Sequence, residues 1–258
     1  MRARPTPFRR PRGRLGVSDR TAVVDYGAGN LRSVARALAA AGAASVEITA
    51  DPTRIASASR IVLPGVGAFA QCITALRGAA GIEAALAEAV LERGTLFLGI
   101  CVGMQLLATQ GHEHGVHQGL GWLPGTVTRL TPDDATLKIP HMGWNAVTAA
   151  NDSGAAEGDA YFVHSYRFDP DDAADIRATS DHGGQFPAIV ARGNITGVQF
   201  HPEKSQAYGL AFLKAWLTLP SPLPFTGGVG GGFSAQHTES PPMANPTPNP
   251  SRKREGSR

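Results

Sequence analysis

Short apolar runs alternate along the chain with longer stretches whose apolar residues recur every three or four positions. Residues 21–25 form an apolar run that ends at Tyr26-Gly-Ala-Gly-Asn30. Helical spacing follows over 31–41, and Asn30 stands where an N-cap would. Residues 46–49 and 60–63 are β-branched runs, the second broken by Pro64-Gly65-Val66-Gly67. Residues 68–77 and 82–93 read as helices, 96–100 as a buried strand, and 102–109 as a helix. After Gly125 the pattern turns to strands, at 125–130, 160–164, 188–191 and 196–200, and 207–219 closes as a helix. Strand–helix alternation followed by more strands predicts an α/β fold, an open, mostly parallel or mixed sheet flanked by helices.

The two ends follow no such pattern. Residues 1–19 are rich in Arg and Pro, and residues 220–258 carry eight Pro and six Gly. Both are expected to be disordered, leaving one folded domain over 20–219. Charge divides along the same lines. The chain of 258 residues has a formal net charge of +3. Its first twenty residues hold seven Arg and one Asp, and 220–258 hold four basic residues and two Glu. The part between them is net acidic, with 13 basic and 18 acidic residues. The basic excess belongs to the ends, so the charge argument for nucleic acid fails for the folded part. Two cysteines cannot form a disulfide framework, which favours a reduced, cytoplasmic setting. No apolar run approaches the ~18–20 residues of a membrane helix, so no membrane partner is expected. The Arg-rich start has no following apolar stretch, unlike a secretory signal.

The sharpest chemical feature is Gly99-Ile-Cys101-Val-Gly103, between a predicted strand and a predicted helix. It has the spacing of a nucleophile elbow, with Cys in place of Ser. Glycines two residues either side relieve crowding in the strained turn. A helix N-terminus behind the sulfur favours the thiolate, and the Val102 N–H is offered to an oxyanion. A thiolate nucleophile needs a histidine, and the histidine needs an orienting acceptor. Gly197-Val-Gln-Phe-His201-Pro-Glu203 supplies both, two residues apart. If the strand continues through them, His201 and Glu203 point to one side.

Cys101, His201 and Glu203 match in type and order the triad of the class I glutamine amidotransferases, and the likeness covers about residues 21–219. Within that family the chain most resembles the glutaminase subunits of imidazole glycerol phosphate synthase. Residues 24–33, 63–69, 138–145 and 161–166 carry this closer likeness. The resemblance implies that Cys101 attacks the side-chain amide of glutamine, with His201 moving the proton and Glu203 holding His201. It implies an oxyanion site from Gly65, Val66, Gly67 and Val102. It implies a glutamine pocket with Gln105, Glu113, Val163, His164 and Ser165. Ammonia would pass to a separate cyclase subunit in a heterodimer, with Asn30, Pro140, Met142, Trp144, Asn145, Tyr161 and Lys204 at that interface. No cofactor and no metal are implied.

One stretch departs from the family. Relatives carry an acidic, Ser-rich run after the elbow helix, where this chain has His112-Glu113-His114-Gly-Val-His117. That loosens the match at Glu113 and superficially mimics a metal site, which we read as a surface loop. His141 and His164 lie far apart in sequence and have no ligand spacing. Cys72 has no elbow around it and reads as core packing. The Gly27-Ala-Gly29 turn lacks the third glycine of a dinucleotide loop. Three rival readings remain: a glutaminase serving another synthase, a cysteine hydrolase on the same elbow, and a non-catalytic binding subunit.

Overall fold

The computed structural model describes residues 19–150 and 153–220. In chain order the first half runs β1 (Arg20–Val24), α1 (Leu31–Ala40), β2 (Ser45–Thr49), α2 (Pro52–Ala56), β3 (Arg60–Gly65), α3 (Phe69–Gly78), α4 (Ile82–Ala87), β4 (Leu96–Cys101) and α5 (Val102–Gln105). Two-residue strands β5 (Gln110–Gly111) and β6 (His117–Gln118) follow, then β7 (Gly125–Arg129), β8 (His141–Ala149), β9 (Gly158–His164) and β10 (Tyr166–Pro170). The chain closes with β11 (Ile176–Asp181), β12 (Gln185–Arg192), β13 (Ile195–Val198) and α6 (Gln206–Thr218).

Nine strands form one sheet in the order β2-β1-β3-β4-β13-β12-β11-β8-β9. The first five pair in parallel and the remaining pairs are antiparallel. This is the expected open mixed sheet, and its parallel half has the doubly wound order 2-1-3-4-5. A smaller sheet, β10-β7-β5-β6, lies apart from it in pairing. The reason for the parallel half is visible in β1, β3 and β4. Each is buried along nearly its whole length, as strands covered by helices on both faces must be. α1 covers them with Val34, Ala37 and Leu38, spaced three and four apart on one face. The antiparallel half is filled by Phe162, Phe186 and Phe200, which meet edge-on at centroid separations of 5.5 and 6.0 Å.

Several expectations need correction. The elbow helix ends at Gln105, not Thr109, because the chain turns there into the small sheet. Asn30 does occupy the N-cap of α1, but its side chain caps nothing. The short helix α2 was not expected, although Asp51 caps it by accepting from the Thr53 N–H at 2.8 Å, with Pro52 in its first turn. Strands β8, β10 and β11 were not expected either. The helix expected over 82–93 is α4 followed by a π-helical turn at Glu88–Glu92. Asp19, the last residue of the expected extension, pairs at the surface with Arg60 at 2.6 Å. The expected disorder of 1–18 and 221–258 lies outside the described residues. Among the described residues, no helix is long and apolar enough to cross a membrane.

Candidate active site

In open α/β sheets, sites form at the carboxyl ends of the strands. Here β3 ends at Gly65, β4 ends at Cys101, and His201 follows β13. Cys101 has φ 55° and ψ −113°, a left-handed conformation that costs a side-chain-bearing residue about 1–3 kcal/mol. Close backbone contact imposes that turn. A Cβ on Gly99 would lie 2.5 Å from the Gly103 carbonyl oxygen, and one on Gly65 would lie 2.6 Å from the Gly103 nitrogen. Only hydrogens fit between the elbow and β3.

His201 Nδ1 and Glu203 Oε1 are 2.9 Å apart, with both side chains almost fully buried. The strand does not bring them together, contrary to expectation. β13 stops at Val198, and Pro202–Lys204 is a single 3₁₀ turn that curls Glu203 back under the ring. Burial opposes a charged imidazole here. Hydrogen bonding and charge from the Cys101 sulfur and the Glu203 carboxylate outweigh it and push the His201 pKa up to about 10. His201 Nε2 is buried and has no hydrogen-bond partner, which leaves it free for a reacting group.

A cavity of about 290 Å³ opens over the sulfur. It brings together Val66 and Gly67 from the loop after β3, Val102 and Gln105 from α5, Glu113, and the wall at Val163-His164-Ser165. Glu113, the uncertain match, therefore does reach the site. Its Oε2 also accepts from the Phe69 N–H at 2.6 Å and so ties its loop to the start of α3. The loop after β3 is held from behind. Tyr26 donates to the Pro64 carbonyl at 2.9 Å, and Cys72 donates to the Val66 carbonyl at 3.2 Å. Cys72 is thus more than packing, and burial pushes its thiol pKa up.

The geometry gathers Cys101, His201 and Glu203 at one site, and comparison with known proteins decides the family. Residues 22–217 match the family model described as glutamine amidotransferase class-I. The imidazole glycerol phosphate synthase subunit HisH of Zymomonas mobilis is 57% identical over 78% of this chain and 96% of its own length. The protein of the same name from Rhodospirillum rubrum is 51% identical over 77% and 98%. The chain belongs to the class-I glutamine amidotransferase family. It falls among the relatives named as that synthase subunit. A crystal structure of a glutamine amidotransferase shares the fold, with a TM-score of 0.61 at 20% identity over 79% of this chain and 100% of the other.

As in any antiparallel strand, side chains on β8 alternate. Met142 and Trp144 lie on its outer face, 62% and 49% exposed. Trp144 meets Tyr161 edge-on at 6.0 Å, and the Lys204 ammonium stands 5.6 Å from the Tyr161 ring centroid. Lys204 also lines the cavity, so this apolar patch adjoins its mouth. Pro140 lines the cavity itself. Asn145 does not join Met142 and Trp144. It is on the other face of β8, where its Nδ2 donates to the Asp181 carbonyl at 2.6 Å and lies 3.2 Å from His141 Nε2.

That inner face holds what sequence spacing missed. His141 and His164 are directly opposite across β8 and β9, with Nδ1 and Nε2 3.0 Å apart. Burial above all, then neighbouring histidines, depress their pKa values to about 4 and about 3. Both rings are therefore neutral at neutral pH, and their partners fix the tautomers. The Tyr166 carbonyl can only accept, so His164 Nδ1 carries the proton toward it at 2.9 Å. His164 Nε2 then accepts from His141 Nδ1, and His141 Nε2 accepts from Asn145.

A pH dependence of stability follows, with two opposite signs. Unfolded imidazoles titrate near 6.5. Below that pH the unfolded chain binds protons that folded His141 and His164 refuse, so stability falls as pH drops toward about 3. Folded His201 keeps a proton that the unfolded chain loses. Its contribution is complete below 6.5 and is lost as pH rises toward about 10. The histidine contribution therefore peaks near pH 6.5. Urea midpoints are expected to fall between about pH 6.5 and 5, above the ordinary carboxylate range, and His141→Gln is expected to flatten that limb. Midpoints that do not change there would contradict the depressed values.

Proposed function

We infer that the chain hydrolyses glutamine to glutamate and ammonia and delivers the ammonia to a cyclase subunit of imidazole glycerol phosphate synthase. That partner makes imidazole glycerol phosphate and an aminoimidazole carboxamide ribonucleotide in histidine biosynthesis. The observation that carries this reading is Cys101 and His201 at one cavity, with buried Glu203 behind His201 and the Met142–Trp144–Tyr161 patch beside the cavity mouth. Relatives at 57% and 51% identity bear the name of a subunit of that synthase. A patch of Trp, Tyr and Met beside an active-site mouth has the composition of a docking surface, and sealing it keeps ammonia from water. We place the enzyme in the cytoplasm, with residues 20–219 as its working domain.

In this reading the Cys101 thiolate attacks the side-chain carbonyl carbon of glutamine. The oxygen takes up the negative charge and is met by the Val102 N–H and an N–H of the Gly65–Gly67 loop. His201 holds the thiol proton and gives it to the departing nitrogen, which leaves as ammonia with a thioester on Cys101. Water then attacks the thioester, and His201 takes its proton and returns it to the sulfur as glutamate leaves. Glu203 keeps the imidazole aimed throughout. Gln105, Glu113 and the wall at 163–165 hold the amino-acid end of the substrate.

The test is glutamate release by the chain alone, with the cyclase, and with the cyclase carrying its nucleotide substrate. Release is expected to be slow alone and fast in the loaded complex. Equal rates in all three would refute the coupling. Removing residues 1–19 and 221–258 is expected to leave the rates unchanged.

A further inference from the structure

Gln199 is fully buried in an otherwise apolar segment, which is unusual enough to need a reason. Its Nε2 lies 3.7 Å from the Cys101 sulfur, within reach of an N–H···S hydrogen bond. It does not line the cavity, whereas Cys101 does, so it reaches the sulfur from outside the cavity. Its amide could face either way, and its neighbours decide which. Gln105 Nε2 lies 3.0 Å from the Tyr166 carbonyl and 3.0 Å from Gln199 Oε1. The carbonyl only accepts, so the Gln105 amide must point its nitrogen there. That nitrogen has a second proton, and Gln199 Oε1 accepts it. The Gln199 nitrogen is then left facing sulfur. The same Tyr166 carbonyl also accepts from His164, so the chain of partners runs back through His141 to Asn145 on β8.

We propose that Gln199 is a catalytic residue, donating an N–H to the Cys101 thiolate from outside the cavity. This rests on Cys101 being the nucleophile. When His201 takes the thiol proton, the sulfur carries a buried negative charge. Besides the Gln199 contact, Sγ makes one long hydrogen bond, to the Val163 carbonyl at 4.0 Å. The Gln199 amide is the donor already in place to stabilise the anion and to aim its lone pair. Gln105 and Tyr166 act through Gln199 and are positioning groups for it. The role of Gln105 narrows accordingly: its nitrogen is committed to the protein, and only Oε1 remains for the substrate.

The experiment compares Gln199→Met with Gln199→Glu. Met conserves volume and removes the donor. Glu keeps an acceptor for Gln105 and turns a second acceptor toward sulfur. Two readouts are taken: alkylation of Cys101 by iodoacetamide in the free chain, followed on its own peptide by mass spectrometry, and glutamate release in the loaded cyclase complex. Gln199→Met is expected to slow both about 10- to 100-fold, the scale of a hydrogen bond to a charged group, with KM nearly unchanged. Gln199→Glu is expected to be slower still. A merely structural role would not order the two variants this way and would leave the alkylation of the folded variant unchanged. Wild-type alkylation and kcat in Gln199→Met, or a Glu variant faster than the Met variant, would overturn the proposal. If Met at this position unfolds the chain, the Glu variant decides by the same readouts. Wild-type rates there overturn the proposal, and a loss of more than about 100-fold with cyclase binding retained supports it. An active Cys101→Ala variant would instead overturn the nucleophile reading itself.

Discussion

Cys101→Ala is expected to abolish glutamine hydrolysis, lowering kcat at least about 10⁴-fold, while the chain stays folded and still binds the cyclase. The size of the loss follows from the site. The thiol lies beside an imidazole whose pKa is pushed up to about 10, and no other thiol faces the cavity. Cys72 cannot substitute, because its sulfur is behind the loop after β3 and engaged with the Val66 carbonyl. The fold should hold because alanine at φ 55° bears the same backbone strain as cysteine and removes only one buried sulfur. Added ammonium is expected to restore product formation by the Cys101→Ala complex, since it supplies what the glutaminase no longer makes. Residual hydrolysis above about a hundredth of the wild-type rate would count against a thioester on Cys101.

The parallel half of the fold was legible because its determinants are local. β1, β3 and β4 are short, mainly apolar runs with a glycine or proline at or within three residues of their ends, and α1 shows its buried face in its own spacing. The elbow was legible for the same reason, since Gly99, Cys101 and Gly103 lie within five residues. What these residues could not reveal was how far the helix after them would run. Gln105 is tied to the Tyr166 carbonyl, and the chain then enters a second sheet with β7, a partner fifteen or more residues away.

The antiparallel half was less legible because its strands are held by partners remote in sequence. β8 reads as a mixed polar and apolar segment. It becomes a strand by pairing with β9 and β11, with exposed Met142 and Trp144 on one face and His141 on the other. The same alternation separates Asn145 from the patch to which resemblance assigned it. His141 and His164 meet only because the register puts them opposite each other, and neither has a sequence neighbour that announces the pairing. The His201–Glu203 pair was found by a wrong route: strand alternation predicted the contact, and a 3₁₀ turn makes it. Gln199 did leave a signal. A lone amide in the apolar run before His201 is a buried polar group that must be satisfied, and asking what satisfies it leads to Cys101.

Gly103→Ala is expected to be among the most damaging glycine substitutions at the described residues, costing about 3 kcal/mol or more and lowering hydrolysis with it. Its Cβ would be driven into the carbonyl oxygen of Leu63 on β3. Neither side can yield. Leu63 is paired within the sheet and opposes Gly99 on β4, while Gly103 is fixed two residues after Cys101, in the first turn of α5. Relief must come from moving α5 off the sheet. That would displace the Val102 N–H and the sulfur, and a shift of about 1 Å at a reacting group costs on the order of 100-fold in rate. The control is Gly78→Ala at the end of α3, where an added Cβ meets nothing within 4 Å and the backbone is ordinary. That change is expected to be neutral or stabilising by up to about 1 kcal/mol. Urea denaturation and glutamate release measured on both variants separate the cases. A Gly103→Ala chain as stable and as active as the Gly78→Ala chain would mean that the elbow and β3 are not interlocked, and that Cys101 is held in its left-handed conformation by something other than their contact.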